Sequence, residues 1–348
     1  MSVGRVATQA CCLPASAATS DPTANALDDA TDPTRTLTLR RAFMREVGRR
    51  FRALRGRVRR KIGYETDALR LARSRFDTTS AEAILANGAT ANADDEDDSD
   101  DADDEPFSFG TRADKRREFV RWLATAIDEE IVESVPGGLR AVRNGGHWTA
   151  SYIADGYARG WVDAARRLRE RGVNVEASTL AATFDRPIPR RQVRDLYARA
   201  FENLTDITDD MAAEIRTVLS EGLTAGLNPR RMADRMTETV DTIERDRART
   251  LARTEIMNSH STASLDRYED AGTSVVAHGE WADAGDRRVC PICETLDGNR
   301  YSISRMRTGT FEFDASDREV VPDSLSGTYQ LRPPAHPNGR CAIIPIVT

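Results

Sequence analysis

The sequence predicts a mainly α protein: a helical domain over residues 112–270, then a small α+β, β-rich C-terminal knot over residues 271–348, with a disordered N-terminal arm and an acidic linker ahead of them. Three observations carry that prediction. Apolar residues recur at steps of three and four through the middle of the chain, the spacing that lines one face of a helix, and after Gly272 the spacing shortens toward that of strands. Metal-type ligands gather at the end, where Cys290, Cys293 and Cys341 are three of only five cysteines. Residues 1–35 and 77–111 are rich in Ala, Thr and Asp and lack any period. A hydrophobic content of 39% with 6% aromatic residues can supply a core, though not one running through all 348 residues.

Taken in order, residues 1–35 cannot bury enough surface to offset the entropy of ordering and are predicted to be a flexible arm. A single Arg5 precedes a polar stretch, which is not the form of a signal peptide, and the adjacent Cys11 and Cys12 have no partner pattern. No run approaches the roughly 20 apolar residues of a membrane helix, so no membrane partner is expected.

Residues 36–76 are predicted to hold a basic amphipathic helix. From Arg35 to Lys61 there are twelve basic residues against one acid, Glu46, and Met44, Val47, Phe51, Leu54 and Val58 form a narrow apolar seam. Arg40, Arg41, Arg45, Arg49, Arg50, Arg52, Arg55, Arg57, Arg59, Arg60 and Lys61 lie on every side of that seam. This favours phosphate contact with DNA over a membrane-surface or docking helix. The seam itself is expected to pack on another subunit, and no motif of known groove geometry suggests base reading. Between Asp94 and Glu105, ten of twelve residues are acidic, which defines the linker as a solvated spacer.

In the helical domain, Val120, Leu123, Ile127, Ile131 and Val135 predict a helix stopped by Pro136-Gly137-Gly138. A second runs from about Trp148 to Arg171, with Gly156 and Gly160 inviting close approach of another helix and Trp148, Tyr157 and Trp161 beside them as core. Separate helices are signalled by Val193–Leu204, by Ile207–Leu223 closed at Gly226, and by Met232, Met236 and Val240 after an Asn228-Pro229 cap. A long helix follows from about Asp241 to Asp270. In it Glu255, Asn258 and Thr262 fall within about 40° of the Leu251 and Leu265 direction, so polar groups interrupt the apolar stripe and need buried partners. They are expected to hold the backbone of the C-terminal knot, with Arg253, roughly opposite, reaching another neighbour.

In the knot, Val275, Val276, His278 and Trp281 predict a strand, Asp297-Gly298 a hairpin turn, and Cys341–Val347 a last strand with Pro345 on an edge. Residues 303–332 have the character of an insertion whose acids are solvated. Cys290-Pro-Ile-Cys293 lets two thiolates chelate one ion from a tight turn, and His336 and Cys341 can close a Cys3His shell around a structural zinc. A redox pair, a disulfide, or thiols simply packed in the core are the competing readings.

These residues resemble the head-morphogenesis, or Mu protein F-like, minor capsid proteins of tailed phages and archaeal tailed viruses. The resemblance runs through Ala252-Arg253-Thr254-Glu255-Ile256, Tyr268, Gly272, Trp281, Asp286, Val289–Cys293, Leu296-Asp297-Gly298 and Pro333–Cys341. The family commonly reads His-Pro-Asn-Cys-Arg-Cys, and Gly339 stands here for the first of those cysteines, which leaves the metal shell no spare ligand. The resemblance implies a non-enzymatic virion protein near the portal, acting in head assembly and in DNA packaging or ejection, with the portal protein, other head proteins and viral DNA as partners. It implies several copies at one vertex of the capsid interior, after assembly in the host cytoplasm. It adds Trp281 and Asp286 to Arg253, Glu255 and Asn258 as a structural clamp. The alternative is a metal-dependent nuclease of the His-Asn type using His336 and Asn338, but such an enzyme usually needs a further His as base, and the Cys-rich segment supplies none.

Overall fold

A computed structural model of the chain describes residues 32–62, 113–316 and 321–348. Most of the predicted arm, residues 63–76, the acidic linker and Cys11 and Cys12 lie outside the described residues. Among the described residues two compact units are present: one gathers residues 32–47 with Ser134–Thr205 and Arg245–Thr348, the other residues 48–62 and 113–133 with Asp206–Glu244.

Helix α1 (Leu37–Lys61) contributes residues to both units, and its seam is buried within its own chain, not held for another subunit. In the first unit, Phe43 stacks on Tyr152 at 4.6 Å and meets Trp148 edge-on at 5.9 Å. In the second, Leu54 and Val58 are fully buried and Lys61 sits over the Trp122 ring at 5.6 Å. Phe43 takes the buried place expected of Met44. The predicted arm also ends sooner than residue 35. Thr34 and Thr36 are buried, and Asp32 accepts from both backbone amides and from the Arg40 guanidinium at 2.5 Å.

The second unit is completed by α2 (Ala113–Ile127), which passes into a π turn at Asp128–Val132, by the later part of α5 (Pro187–Thr224), and by α6 (Pro229–Ile243). The Asn228 side chain caps α6 by accepting from the Arg231 amide at 2.9 Å, with Pro229 at the first turn. Two predicted helices are one: α5 runs unbroken for 38 residues. The apolar steps from Leu204 to Ile207 to Met211 keep the helical period, and Thr205-Asp206 offers neither a glycine nor a proline to end it. Likewise α6 continues through a π turn at Glu244–Ala248 into α7 (Arg249–Ala271), so Asp241 belongs to the earlier helix.

The first unit is organised by the packing of α4 (Ala150–Glu170) on α7, with α3 (Gly138–Arg143) and the first part of α5 beside them. The two interior glycines of α4 make this contact possible. A Cβ on Gly156 would lie 3.3 Å from the Ser259 Cβ, and one on Gly160 would lie 2.2 Å from the His260 carbonyl oxygen. Against this pair lies a three-stranded antiparallel sheet in the order β2-β1-β5, formed by β1 (Val276–Ala282), β2 (Arg300–Ser302) and β5 (Ala342–Val347). Trp281 is in register with Ile343, and Pro345 sits on the edge strand opposite Gly279.

The segment predicted as an insertion is partly core. Helix α9 (Ile303–Thr308) sends Ile303 and Met306 into a cluster with Ala164, Leu168, Leu265, Tyr268 and Ile343. Only the hairpin of β3 (Thr310–Phe313) and β4 (Gly327–Gln330) stands apart as a second sheet. The Asp297-Gly298 turn closes the short helix α8 (Pro291–Leu296) before β2, so it is not a two-residue hairpin.

The close approach at Gly160 yields a direct test. Gly160→Ala should destabilise the protein by about 1–3 kcal/mol or more, since the new methyl meets backbone that cannot rotate away. Gly156→Ala should cost less, because its nearest neighbour, the Ser259 Cβ at 3.3 Å, need give by only a few tenths of an ångström. Denaturant unfolding of the two variants beside the parent measures the difference.

Candidate metal centre and its clamp

Cys290 holds an extended conformation at the N-cap of α8, Pro291 occupies the first turn, and the Cys293 amide points back at the Cys290 sulfur at 3.5 Å. The Cys-Pro-Ile-Cys spacing thus becomes one tight helical turn that presents both thiols to the same side. Ile292 and Leu296, on the same short helix, anchor it in a core shared with Trp281, Phe313, Leu325 and Leu331.

His336 arrives from the loop before β5. Its Nε2 stands 3.0 Å from the Cys290 Sγ and 3.1 Å from the Cys293 Sγ, while its Nδ1 faces the Pro337 carbonyl at 2.8 Å. A proton on Nδ1 satisfies that carbonyl and leaves Nε2 with its lone pair toward the sulfurs, the tautomer a metal-binding imidazole needs. Among the described residues, Cys290, Cys293 and His336 form a buried group whose ligand atoms lie within 4.8 Å of one another, and this group could hold a metal ion. Cys341 is buried beside them and lines the same cavity without joining the 4.8 Å group. All four residues line a cavity of about 20 Å³, and the three cysteines are free of disulfides.

The donor set suits zinc. Three thiolates with one imidazole is the composition of a closed structural site, and donors around a tetrahedral zinc lie roughly 3.5–3.8 Å apart. The observed sulfur–nitrogen distances are shorter than that, so the side chains need only spread slightly to admit an ion. Their electrostatics describe the group with its protons on. Hydrogen bonds from Cys290 and Cys341, with burial, push the Cys293 thiol well up from its ordinary value. Burial by itself would lower His336, but the Cys290 sulfur and the Pro337 carbonyl outweigh it and hold the imidazole above its usual pKa.

The loop that delivers His336 is fastened at three places. The Asn338 amide donates to the Thr254 hydroxyl at 3.2 Å and its side-chain Nδ2 to Thr250 at 3.1 Å, both on α7. Arg340 grips Asp286 with two bonds of 2.6 Å. Farther along α7, Asn258 accepts from Arg332 at 2.9 Å, just ahead of the loop. Glu255, expected to hold the knot, turns elsewhere: it is buried and accepts from Asn203 at 3.0 Å and Arg199 at 3.3 Å, both on α5. Thr262 is buried with its hydroxyl unpaired, Arg253 is half-buried on α7, and Trp281 is a core residue. The sequence does not mark Thr250 and Thr254, although Thr254 stands inside the Ala-Arg-Thr-Glu word; a hydroxyl four residues ahead of an interrupting polar group is too common a pattern to signal a contact.

The basic residues of α1 fare differently from expectation. Arg40 is buried against Asp32, and Arg50 is buried with Glu133 as its partner. Arg55 pairs with Asp241 at 2.9 Å, Arg57 with Glu129 at 2.5 Å and Glu130 at 3.4 Å, and Arg59 with Asp234 at 3.8 Å. Arg41 and Lys61 are half-buried, which leaves Arg45, Arg49, Arg52 and Arg60 as the exposed members.

Residues 213–344 match the family described as Phage Mu protein F like protein. This region of the chain is similar to the Mu protein F-like proteins. The match takes in α6, α7, Cys290, Cys293 and the whole His336–Cys341 loop. The family suggests a phage head-morphogenesis protein, located in the virion, structural in character and meeting other phage head proteins. No curated protein and no solved structure matches the chain. No helix among the described residues is long and apolar enough to cross a membrane.

The two halves of the predicted clamp should separate experimentally. Asp286→Ala leaves Arg340 without its bidentate partner and should cost roughly 1.5–3 kcal/mol, with faster alkylation of the Cys290 and Cys293 thiols in the native protein. Glu255→Leu acts on α5 instead, so it should lower stability while leaving native thiol reactivity unchanged.

Proposed function

We propose that the chain is a minor, portal-associated head protein of a tailed virus, acting in head assembly and in DNA packaging or ejection, and that Cys290, Cys293, His336 and Cys341 hold a structural zinc. The family match over residues 213–344 carries this reading. In support, the matched segment ends in a fastened loop whose Asn338 and Arg340 are spent on Thr250, Thr254 and Asp286. Such bonds suit a brace that keeps a terminal strand in place under mechanical load. A nuclease would need His336 and Asn338 turned toward a substrate; here the His336 Nε2 faces two sulfurs and the Asn338 side chain faces Thr250. The portal protein, other head proteins and viral DNA are the proposed partners, the DNA being met at its phosphates through the exposed arginines of α1, Arg45, Arg49, Arg52 and Arg60.

Two measurements test this. Quantitative mass spectrometry and labelled electron microscopy of purified virions should find a few to a dozen copies at one vertex; hundreds of copies spread over the shell would refute the portal assignment. Elemental analysis of the purified full chain should find about one equivalent of zinc. Cys341→Ser should lose that metal and expose β5 to hydrogen exchange. A metal-free, folded protein whose thiols react only after unfolding would show the cysteines to be core residues.

A further inference from the structure

A second basic surface lies in the first unit, away from α1 in the sequence. Helix α3 and the early part of α5 bound an open concavity of about 750 Å³ lined by Leu139, Arg140, Arg143, Arg191, Arg194 and Asp195. All four arginines are exposed. The acid among them, Asp195, approaches Arg143 only to 3.8 Å, with both side chains more than half exposed, a geometry in which solvent screens most of the attraction. The cleft therefore keeps an uncompensated positive charge, unlike α1, where five arginines have found acids.

The walls are rigid. Val142 on α3 and Val193 and Leu196 on α5 are buried, so the arginines project from anchored helical turns and need little ordering on binding. Guanidinium groups present a planar fork that matches phosphate oxygens, and a volume near 750 Å³ is that of a full binding cleft, not of a crevice between side chains. The lining residues supply no aromatic ring for stacking on single-stranded bases, and Leu139 is the one apolar side chain. A small organic ligand or an apolar peptide would lack an anchor, and an unstacked strand a platform. The remaining fit is to a double helix held by its backbone, without base readout.

We propose that the α3–α5 cleft is a phosphate-backbone site for duplex DNA, in which Arg140, Arg143, Arg191 and Arg194 replace condensed counterions. The proposal rests on the placement of these side chains and not on the family reading, and a failure here leaves the head-protein assignment standing.

The test uses the full chain and a random-sequence 20-base-pair duplex, titrated by fluorescence anisotropy over a series of salt concentrations, for the parent and for the Arg140→Gln, Arg143→Gln, Arg191→Gln, Arg194→Gln variant. All four positions are exposed, and matching circular dichroism and melting curves establish that the variant is folded. The parent should bind with a steep negative salt slope. The variant should lose affinity by about tenfold or more at low salt, with its slope reduced by up to about 3.6, at about 0.9 per phosphate contact. An unchanged affinity and slope in the folded variant would overturn the proposal. So would competition by inorganic phosphate as effective as that by duplex at equal phosphate concentration, which would indicate a small-anion site. Displacement of the duplex by polyglutamate at lower charge concentration than by unlabelled DNA would assign the cleft to an acidic protein instead.

Discussion

The structure of the first unit depends on one close contact, the approach of α4 to α7 at Gly160. There the space of a side chain is taken by the His260 carbonyl, and backbone lies against backbone. That approach buries a run of α7 that is polar for a core helix: Glu255, Asn258, Ser259, His260, Ser261, Thr262, Ser264 and Asp266 are all under a tenth exposed. Small hydroxyl residues are what allow two helices to come so near, and two of them return their hydrogen bond to their own helix, Ser259 to the Glu255 carbonyl and Ser264 to that of His260.

The charged residues caught in the same interface need partners from outside α7, and their partners tie the unit together. Tyr157 on α4 donates to Asp266 at 2.5 Å, and Arg307 on α9 reaches the other oxygen of the same carboxylate at 2.7 Å. Arg167 on α4 pairs with Asp163 at 2.7 Å and extends to the Ile343 carbonyl on β5 and the Pro33 carbonyl ahead of α1. One guanidinium thus links the start of the described chain, the glycine-bearing helix and the last strand. His260 lies 4.0 Å from Asp163, and burial draws its pKa down to about 4 against the pull of that acid, so the imidazole is neutral in the folded protein near pH 7. A neutral ring leaves the Asp163–Arg167 pair undisturbed.

This arrangement explains what the sequence revealed and what it concealed. Helix periods, the cap at Asn228-Pro229, the close-approach glycines of α4 and the edge position of Pro345 are local properties, written in residues near one another, and each was legible. The polar interruption of α7 was visible too, but not its partners: a carboxylate at 255 can face the knot or α5 with equal regard for helix geometry, and only tertiary packing sends it to Arg199 and Asn203. The basic helix misled for the same reason. Its charge is evident within 27 residues, whereas the acids that neutralise it, such as Glu133, Glu129 and Asp241, lie far along the chain. At the candidate metal centre the Cys and His types and their spacing were visible in the sequence, and the fastening by Thr250 and Thr254 was not, because threonine on a helix commonly bonds its own backbone.

Gly339 shows how the centre tolerates a departure from the family's usual cysteine. It is buried, and a Cβ there would lie 2.9 Å from the Pro334 Cβ and 3.3 Å from the His336 carbonyl oxygen. A cysteine at this position would have to push Pro334 aside, and Pro334 is itself held through its carbonyl by Gln330 at 2.5 Å. Glycine and the close approach of Pro334 therefore belong together: the loop packs its own chain where a side chain at 339 would stand. The position of His336 is set by its neighbours in the loop, Asn338 bonded to α7 and Arg340 to Asp286, so the segment leading into β5 is held from two sides.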